Sequence, residues 1–341
     1  MENFWHNLPR PIFCLAPMEE VTDVAFREMF ARYSAVPAVA GRKPRHEFVM
    51  FTEFINIDGL LHPQGFEKFK ADLSFTPIQH PIVIQLWGTD PAKFERAAAL
   101  AASLGFDGID INMGCPQEKE IGLGACAALI RQPKLAQEII LAAKAGAAGL
   151  PVSVKTRLGY SRTDEMADWV MALLQTQPAA LTLHARTKKE MSKVPAHWDK
   201  IAEAVELRDK WLGTRDEGED KIRTLILGNG DINSRAAGLA RAQESGCDGV
   251  MIGRGAFGNP WLFRADNYEP APEKRLQAML EHAALFEQLL PQKPFVIMRK
   301  HFKAYCSGFA GAHELRARLL QSKTLAEARV LTDDFLAAAG L

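Results

Sequence analysis

Short apolar runs recur along this chain, and most are followed by a segment whose apolar positions repeat every three to four residues. The runs lie at 12–16, 48–52, 82–86, 108–111, 152–155, 180–183, 224–227 and 249–252. They are rich in Val, Ile and Leu and bounded by turn residues, the pattern of strands buried on both faces of a parallel sheet. Helical periodicity occupies 24–33, 91–104, 133–148, 163–175, 199–208 and 234–244 between them. Asp90 before Pro91, and Asn233 before Ser234, supply start signals. A side-chain oxygen there meets the first free N–H groups, and a proline ring already holds a helical φ. Eight β-then-α units over about 250 residues predict an α/β fold, the (β/α)8 or TIM barrel. An open doubly wound sheet rarely repeats so regularly.

Past the eighth run the pattern changes. Residues 264–272, RADNYEPAP, are polar and proline-bearing, as a linker is. Helical patterns at 273–290, 294–306, 311–320 and 324–338 follow with no strand among them. The expected organisation is a barrel over 1–264, a linker over 265–272 and a small C-terminal all-α helical bundle over 273–341.

A barrel concentrates its chemistry where the strands end, at their carboxyl face. In order, the ends carry Pro17 with Met18, Glu53, Gln85, Asn112 with Cys115, Lys155 with Arg157, His184 with Arg186, Asn229-Gly230-Asp231, and Gly253 with Arg254. Each alone has an ordinary structural reading, such as a surface carboxylate or a satisfied core histidine. Eight concordant ends point to one working face. At the fourth, Gly114 frees the backbone and Pro116 blocks further pairing, so the chain leaves the sheet holding the Cys115 thiol. LGNGDI at 227–232 and MIGRG at 251–255 follow the seventh and eighth strands. Glycines there let backbone N–H groups approach phosphate oxygens, and Arg254 adds a charge-assisted bond. Neither matches the dinucleotide pattern GxGxxG, so a smaller phosphate-bearing cofactor is expected. Lys155 and Arg157, two apart on an extended segment, share one side, with Lys155 facing a buried ring system.

Composition narrows the setting. The 341 residues are 48% hydrophobic and 24% charged, with a formal net charge of +0. An all-over basic surface is thereby excluded, and any grip on nucleic acid must come from a local cluster. One such cluster runs from Lys293 to Lys323, with seven Lys or Arg against the single acid Glu314. Phe295, Phe302, Tyr305 and Phe309 are interleaved with it. Five dispersed cysteines form no CxxC pair, so no metal site and no disulfide framework is expected, and a reducing cytoplasmic setting is. No apolar run reaches membrane-spanning length, and none has the form of a signal peptide.

Together LAPMEEVTDVAFR (15–27), TEF (52–54), DINMGCP (110–116), PVSVKTRLG (151–159), LTLHART (181–187), GNGDI (228–232) and DGVMIGRGAFGNPW (248–261) resemble the tRNA-dihydrouridine synthase family. MRKHFKAYCSGFAGAHELR (298–316) is similar to its C-terminal helical domain. The resemblance implies a flavin mononucleotide (FMN) on the barrel, reduced by NADPH, that hydrogenates C5=C6 of a uridine in tRNA. It implies that Pro17, Met18 and Gln85 contact the flavin and that Lys155 and His184 lie at its ring. Asn229, Gly230, Asp231, Gly253 and Arg254 would hold the ribityl phosphate. Asn112 would touch the uracil, Cys115 would donate the proton, and Arg157 and Arg186 would serve the substrate pocket. Lys119, Arg299, Lys300, Lys303 and Arg316 would grip the RNA, and a monomer is expected. A thiol suits the proton transfer, because with an ordinary pKa of about 8.5 it is protonated near neutrality yet still yields its proton.

Four features depart from the family pattern: added residues at 40–47 and 206–222, the acidic loop QEKEIGLGAC after Pro116, and Glu20 where glycine is usual. The added stretch at 206–222 reads as a loop entering from the barrel's amino-terminal face. Two other functions fit the barrel: a small-molecule flavin oxidoreductase of the dihydroorotate dehydrogenase type, and a non-catalytic RNA-binding protein. The basic tail separates the first from the RNA enzyme, and bound flavin separates the second.

Overall fold

Every apolar run becomes one strand. The computed structural model describes residues 3–35, 47–214 and 223–339, so residues 40–46 and 215–222 of the added stretches lie outside the described residues. The strands are β1 (Ile12–Leu15), β2 (Phe48–Asn56), β3 (Ile82–Trp87), β4 (Gly108–Met113), β5 (Val152–Arg157), β6 (Ala180–His184), β7 (Leu225–Asn229) and β8 (Gly249–Ile252). All pair in parallel in chain order, and β8 closes on β1. Side chains alternate inward and outward along each strand. Thus Ile12 and Cys14 meet Val49, Phe51 and Leu227 inside the barrel, with Trp5 beneath them. Phe13 and Leu15 face the surrounding helices.

Six strands run beyond the point where their apolar run stops. Several of the added residues are polar, yet their backbones stay in the ladder. Asn112 pairs with Lys155, Arg157 with His184, and His184 with Asn229. The register therefore sets the chemistry-bearing residues side by side on one rim. Between Phe51 and Phe54 the β2–β3 register shifts, and the Thr52 hydroxyl accepts the N–H of Gln85 at 3.0 Å there.

The helix expected over 199–208 runs on through residues 209–213, expected as loop, to span Trp198–Gly213. Its Arg208, fully buried, reaches Asp248 just before β8 and the carbonyl of Thr224. Short helices at Ile57–Leu61, Pro63–Phe69 and Glu118–Gly122 escaped the sequence reading because five to seven residues carry too little periodicity.

After the barrel come helices at Pro272–Leu289, Arg299–Tyr305, Ala312–Leu319 and Leu325–Ala339, with a 3-10 turn at Phe295–Met298. Leu276, Met279, Phe286, Met298 and Phe302 share one core with Val24, Ala25, Met29 and Trp261 of the barrel. Glu281 takes Arg32 at 2.9 Å and the Tyr33 hydroxyl at 2.5 Å. Removing residues 270–341 would therefore strip an apolar face of the barrel, and truncation is not a clean test of the tail's role.

Two histidines sit within that shared core. His282 and His301 are fully buried with ring centroids 4.6 Å apart, beside Phe26 and Tyr305. None of their four ring nitrogens has a hydrogen-bond partner among the described residues. Burial pushes His282 down to about 3 and His301 well below its ordinary value, so both are neutral when folded. The unfolded chain takes up protons below about pH 6.5, where the folded one does not. Stability is then full above that pH and falls as pH drops toward 3, by up to about 1.4 kcal/mol per pH unit for each histidine. The urea midpoint measured from pH 8 to pH 5 is expected to show this slope, and His282→Phe to flatten it by about half.

Candidate active site

At the carboxyl rim a cavity of about 670 Å³ opens over β5 to β8 and the end of β1, a size typical of cofactor sites. Ten of the residues expected at the site line it: Pro17, Met18, Lys155, Arg157, His184, Asn229, Gly230, Asp231, Gly253 and Arg254. The sequence reading missed others on the same wall. Met251 lies within an apolar run, and Met191 and Ser192 belong to the loop after β6. Asn233 was visible only as part of a helix start.

The β7–β8 end is shaped for an anion. Gly230 has φ +138°, and a Cβ there would lie 2.9 Å from that of Ala196. A Cβ on Gly255 would stand 2.6 Å from the Ile232 carbonyl oxygen. Only glycine fits such close backbone approach. The helix Arg235–Ser245 begins beside them, capped by the Ser234 hydroxyl on the Ala237 N–H at 3.1 Å. Arg254 is 69% exposed and donates to Asp231 at 3.0 Å. Asp231 also takes Arg186 and the Ala196 N–H, and the Arg186 bond holds its carboxyl below the usual range. Two guanidiniums around one carboxylate leave a net positive charge beside a helix N-terminus, which fits a phosphate. Asp231 itself anchors the arginines, since two anions repel.

On the opposite wall, burial and then Arg157 bring Lys155 down to about 8. His184 is pushed well below its ordinary value by burial, with Arg157, Lys155 and Arg186 adding to it. Arg186 Nη1 donates to His184 Nε2 at 3.4 Å, which places the neutral ring's own proton on Nδ1. Arg157 is spent on backbone carbonyls: Gly114 at 2.7 Å, Thr187 at 3.1 Å and Met191 at 3.0 Å. It ties the Cys115 loop to the loop after β6.

Cys115 is half-buried, whereas Cys14, Cys126, Cys247 and Cys306 are buried. Asn112 Oδ1 accepts the N–H groups of Gly114 at 3.0 Å and Cys115 at 2.9 Å. Asn112 and Gln85 do not line the cavity, and Asn112 Nδ2 donates to Gln85 Oε1 at 3.1 Å. Cys126 packs beside Cys115 near Trp87 and Phe54, with its backbone at φ +54°. Its thiol hydrogen-bonds the Cys115 sulfur and holds that thiol below its ordinary pKa, against the pull of burial and of Glu120. The proton stays on Cys126, whose own pKa is raised.

The residues expected to grip RNA divide. Lys119 is exposed on the short helix after Cys115. Lys300 caps the Glu20 carbonyl, and Arg299 donates to the Ser322 carbonyl at 3.4 Å. Lys293 bonds Asp72 at 2.8 Å and faces Glu53 at 3.6 Å, whose carboxyl burial lifts to about 7. Lys303 is exposed and Arg316 half-buried, neither with an ion pair among the described residues. Glu20 has φ +58°, the left-handed conformation that explains why glycine is usual there. Its contact with Lys300 sets the tail beside the loop after β1, on the same side as the cavity.

Fold and site together define a class: a (β/α)8-barrel enzyme with an anion cradle after β7 and β8 and a thiol loop after β4. The chain belongs to the dihydrouridine synthase (Dus) family, which it matches over residues 14–339. It is 44% identical over 336 residues to the probable tRNA-dihydrouridine synthase 2 of Bacillus subtilis, covering 98% of this chain and 97% of that protein. A probable tRNA-dihydrouridine synthase of Staphylococcus aureus is 43% identical, covering 98% and 96%. Among solved structures, the 6-hydroxypseudooxynicotine amine oxidase of Pseudomonas geniculata shares the barrel, with a TM-score of 0.54 at 12% identity over 85% of this chain and 56% of that one.

Proposed function

We propose that this protein reduces the C5=C6 bond of uridines in tRNA to 5,6-dihydrouridine, with flavin mononucleotide as resident cofactor and NADPH as electron donor. The observation that carries the reading is a partly open thiol, Cys115, on the strand-end loop beside a cavity fitted with an anion cradle. The names of both curated relatives support the substrate class. When bound, the flavin supplies the hydride that adds to C6 of the uracil ring. Gly230, Gly253 and Arg254 would hold its phosphate, with Asn229 beside them, while Asp231 keeps Arg254 and Arg186 in place. Pro17, Met18, Lys155 and His184 would line its ring, and Lys155, charged below about pH 8, favours negative charge there. Cys115 gives its proton to C5 and is reprotonated from solvent. Arg157 fixes that loop through the Gly114 carbonyl.

The target base must leave the RNA stack to reach the cavity. Lys119 at its mouth, with Lys303 and Arg316 on the tail, supplies phosphate contacts. The working division is a catalytic barrel over 1–264, a linker over 265–272 and a tRNA-binding helical unit over 273–341, acting as a monomer. Among the described residues no helix is long and apolar enough to cross a membrane, which suits a cytoplasmic substrate.

The deciding experiment incubates the purified protein with FMN, NADPH and an unmodified tRNA transcript, and reads dihydrouridine by mass spectrometry. Product formation is expected; NADPH oxidation with no dihydrouridine in the RNA would overturn the reading. Arg254→Ala is expected to weaken FMN about 10- to 100-fold, the worth of one charge-assisted bond, in a fluorescence titration of apoprotein. Retention equal to the parent's would remove Arg254 from the cradle.

A further inference from the structure

The reaction described above uses neither Asp110 nor Ser153, yet both lie in the barrel directly beneath the thiol loop. Register sets Gln85 against Asp110 and Asp110 against Ser153 on three adjacent strands. Asp110 and Gln85 are fully buried, and Ser153 and Asn112 nearly so. Ser153 Oγ donates to Asp110 Oδ1 at 2.6 Å, and Gln85 Nε2 donates to Asp110 Oδ2 at 2.7 Å. Gln85 Oε1 then accepts Asn112 Nδ2 at 3.1 Å, and Asn112 Oδ1 accepts the N–H groups of Gly114 and Cys115.

We propose that Asp110 is a positioning residue for Cys115, acting through a polarity relay that runs Asp110–Gln85–Asn112 to the backbone of the thiol loop. A carboxylate accepts and never donates, so it compels Gln85 to turn its NH2 group downward and its oxygen upward. That oxygen compels Asn112 to turn its NH2 toward Gln85 and its oxygen toward the loop. Reverse any one amide and two donors face each other in a dry interior, which costs more than a lost hydrogen bond. One buried carboxylate thus fixes two otherwise ambiguous amides, and the second holds the Cys115 loop. Burial raises Asp110 to about 6, with Gln85, Ser153 and Lys155 opposing that rise, so it remains an acceptor near neutrality.

The relay predicts a non-additive pair. In Asp110→Asn, the new amide can keep its oxygen on Gln85 and turn its NH2 to Ser153, whose hydroxyl rotates to accept. Ser153→Ala leaves the carboxylate acceptor-only. Either change alone is tolerated. In Asp110→Asn/Ser153→Ala nothing specifies the amide, and the relay loses its direction. This role rests on Cys115 being the proton donor, but the loop is read here without the reaction. The flavin-loaded proteins are treated with iodoacetamide across pH, and the Cys115 peptide is quantified by mass spectrometry. Both single variants are expected within about twofold of the parent. The double variant frees the loop from Cys126, moves the alkylation midpoint to higher pH and slows Cys115 about tenfold at pH 7. A double variant equal to the sum of the singles overturns the relay. Should the double variant not fold, Gln85→Met removes the middle member at nearly constant volume and is expected to move the midpoint the same way; an unchanged midpoint overturns the proposal. Dihydrouridine formation by Cys115→Ala would instead sink the assigned reaction and leave the relay's test intact.

Discussion

Cys115→Ala is expected to bind flavin and be reduced by NADPH as the parent is, yet form dihydrouridine about 10³-fold more slowly, the worth of one well-placed general acid. Three other groups near the sulfur are poor proton donors. His184 is neutral with its proton on Nδ1, Arg157 is bonded to three carbonyls, and Cys126 has a raised pKa. Cys115→Ser should fare little better, because a hydroxyl is a far weaker acid than a thiol. The pH profile carries its own sign. The donor must be protonated, so the rate of uridine reduction should fall as pH rises through the Cys115 pKa. That limb should lie below the ordinary thiol value, because the Cys126 hydrogen bond lowers it. Single-turnover mixing of reduced enzyme with tRNA isolates this step. A parental rate in Cys115→Ala would exclude the thiol from the chemistry.

The largest stability effect is expected at the barrel's other end. Asp248→Ala should destabilise the fold by about 3–5 kcal/mol, because it takes the buried counter-charge from a fully buried guanidinium and leaves it only the half-exposed Asp209 on its Nε. Arg208 is fully buried, and Asp248 takes Arg208, Arg223 and the Ile226 N–H at 2.9 Å. Those contacts hold the Asp248 pKa below its ordinary value despite burial. The sign follows: this stability is present above the unfolded carboxyl pKa and is lost as pH falls through the lower folded one. The consequence reaches the site. Arg208 pins the helix Trp198–Gly213, whose Trp198 indole donates to the Gly230 carbonyl at 3.1 Å behind the anion cradle. Urea unfolding of Asp248→Ala, beside flavin retention in the same protein, checks both links. Arg208→Met/Asp248→Leu should recover much of the loss, since an apolar pair of similar bulk leaves no charge to desolvate. Equal stability of Asp248→Ala and the parent would show that Arg208 finds its solvation elsewhere.

Much of this was legible in local pattern. Strand cores such as Val152–Val154 and helices such as Val24–Tyr33 announce themselves because burial imposes a period on nearby residues. Pro116 after Cys115 and the glycines at 230, 253 and 255 marked where the chain must leave the sheet or admit a phosphate. What local pattern misjudged were the strands' carboxyl ends. Asn112, Arg157, His184 and Asn229 look like loop by polarity but remain paired, since a ladder depends on backbone, not on side-chain hydropathy. Cys126 differs from Cys14 by no sequence signal; only the turn at 126–131 brings it beside Cys115.

The sequence by itself determined the barrel, the face that works and the residue types gathered there, because periodicity and strand-end chemistry are written into short stretches. Only the tertiary structure decided which groups remain free to act. It commits Lys293 to Asp72, Lys300 to Glu20, Arg157 to three carbonyls and Asp231 to two arginines. It also joins Asp110 to the Cys115 loop by way of the neighbouring strand β3. The physical reason is distance: a hydrogen bond or ion pair is fixed by which residues meet across the fold, and composition is silent about partners far away along the chain.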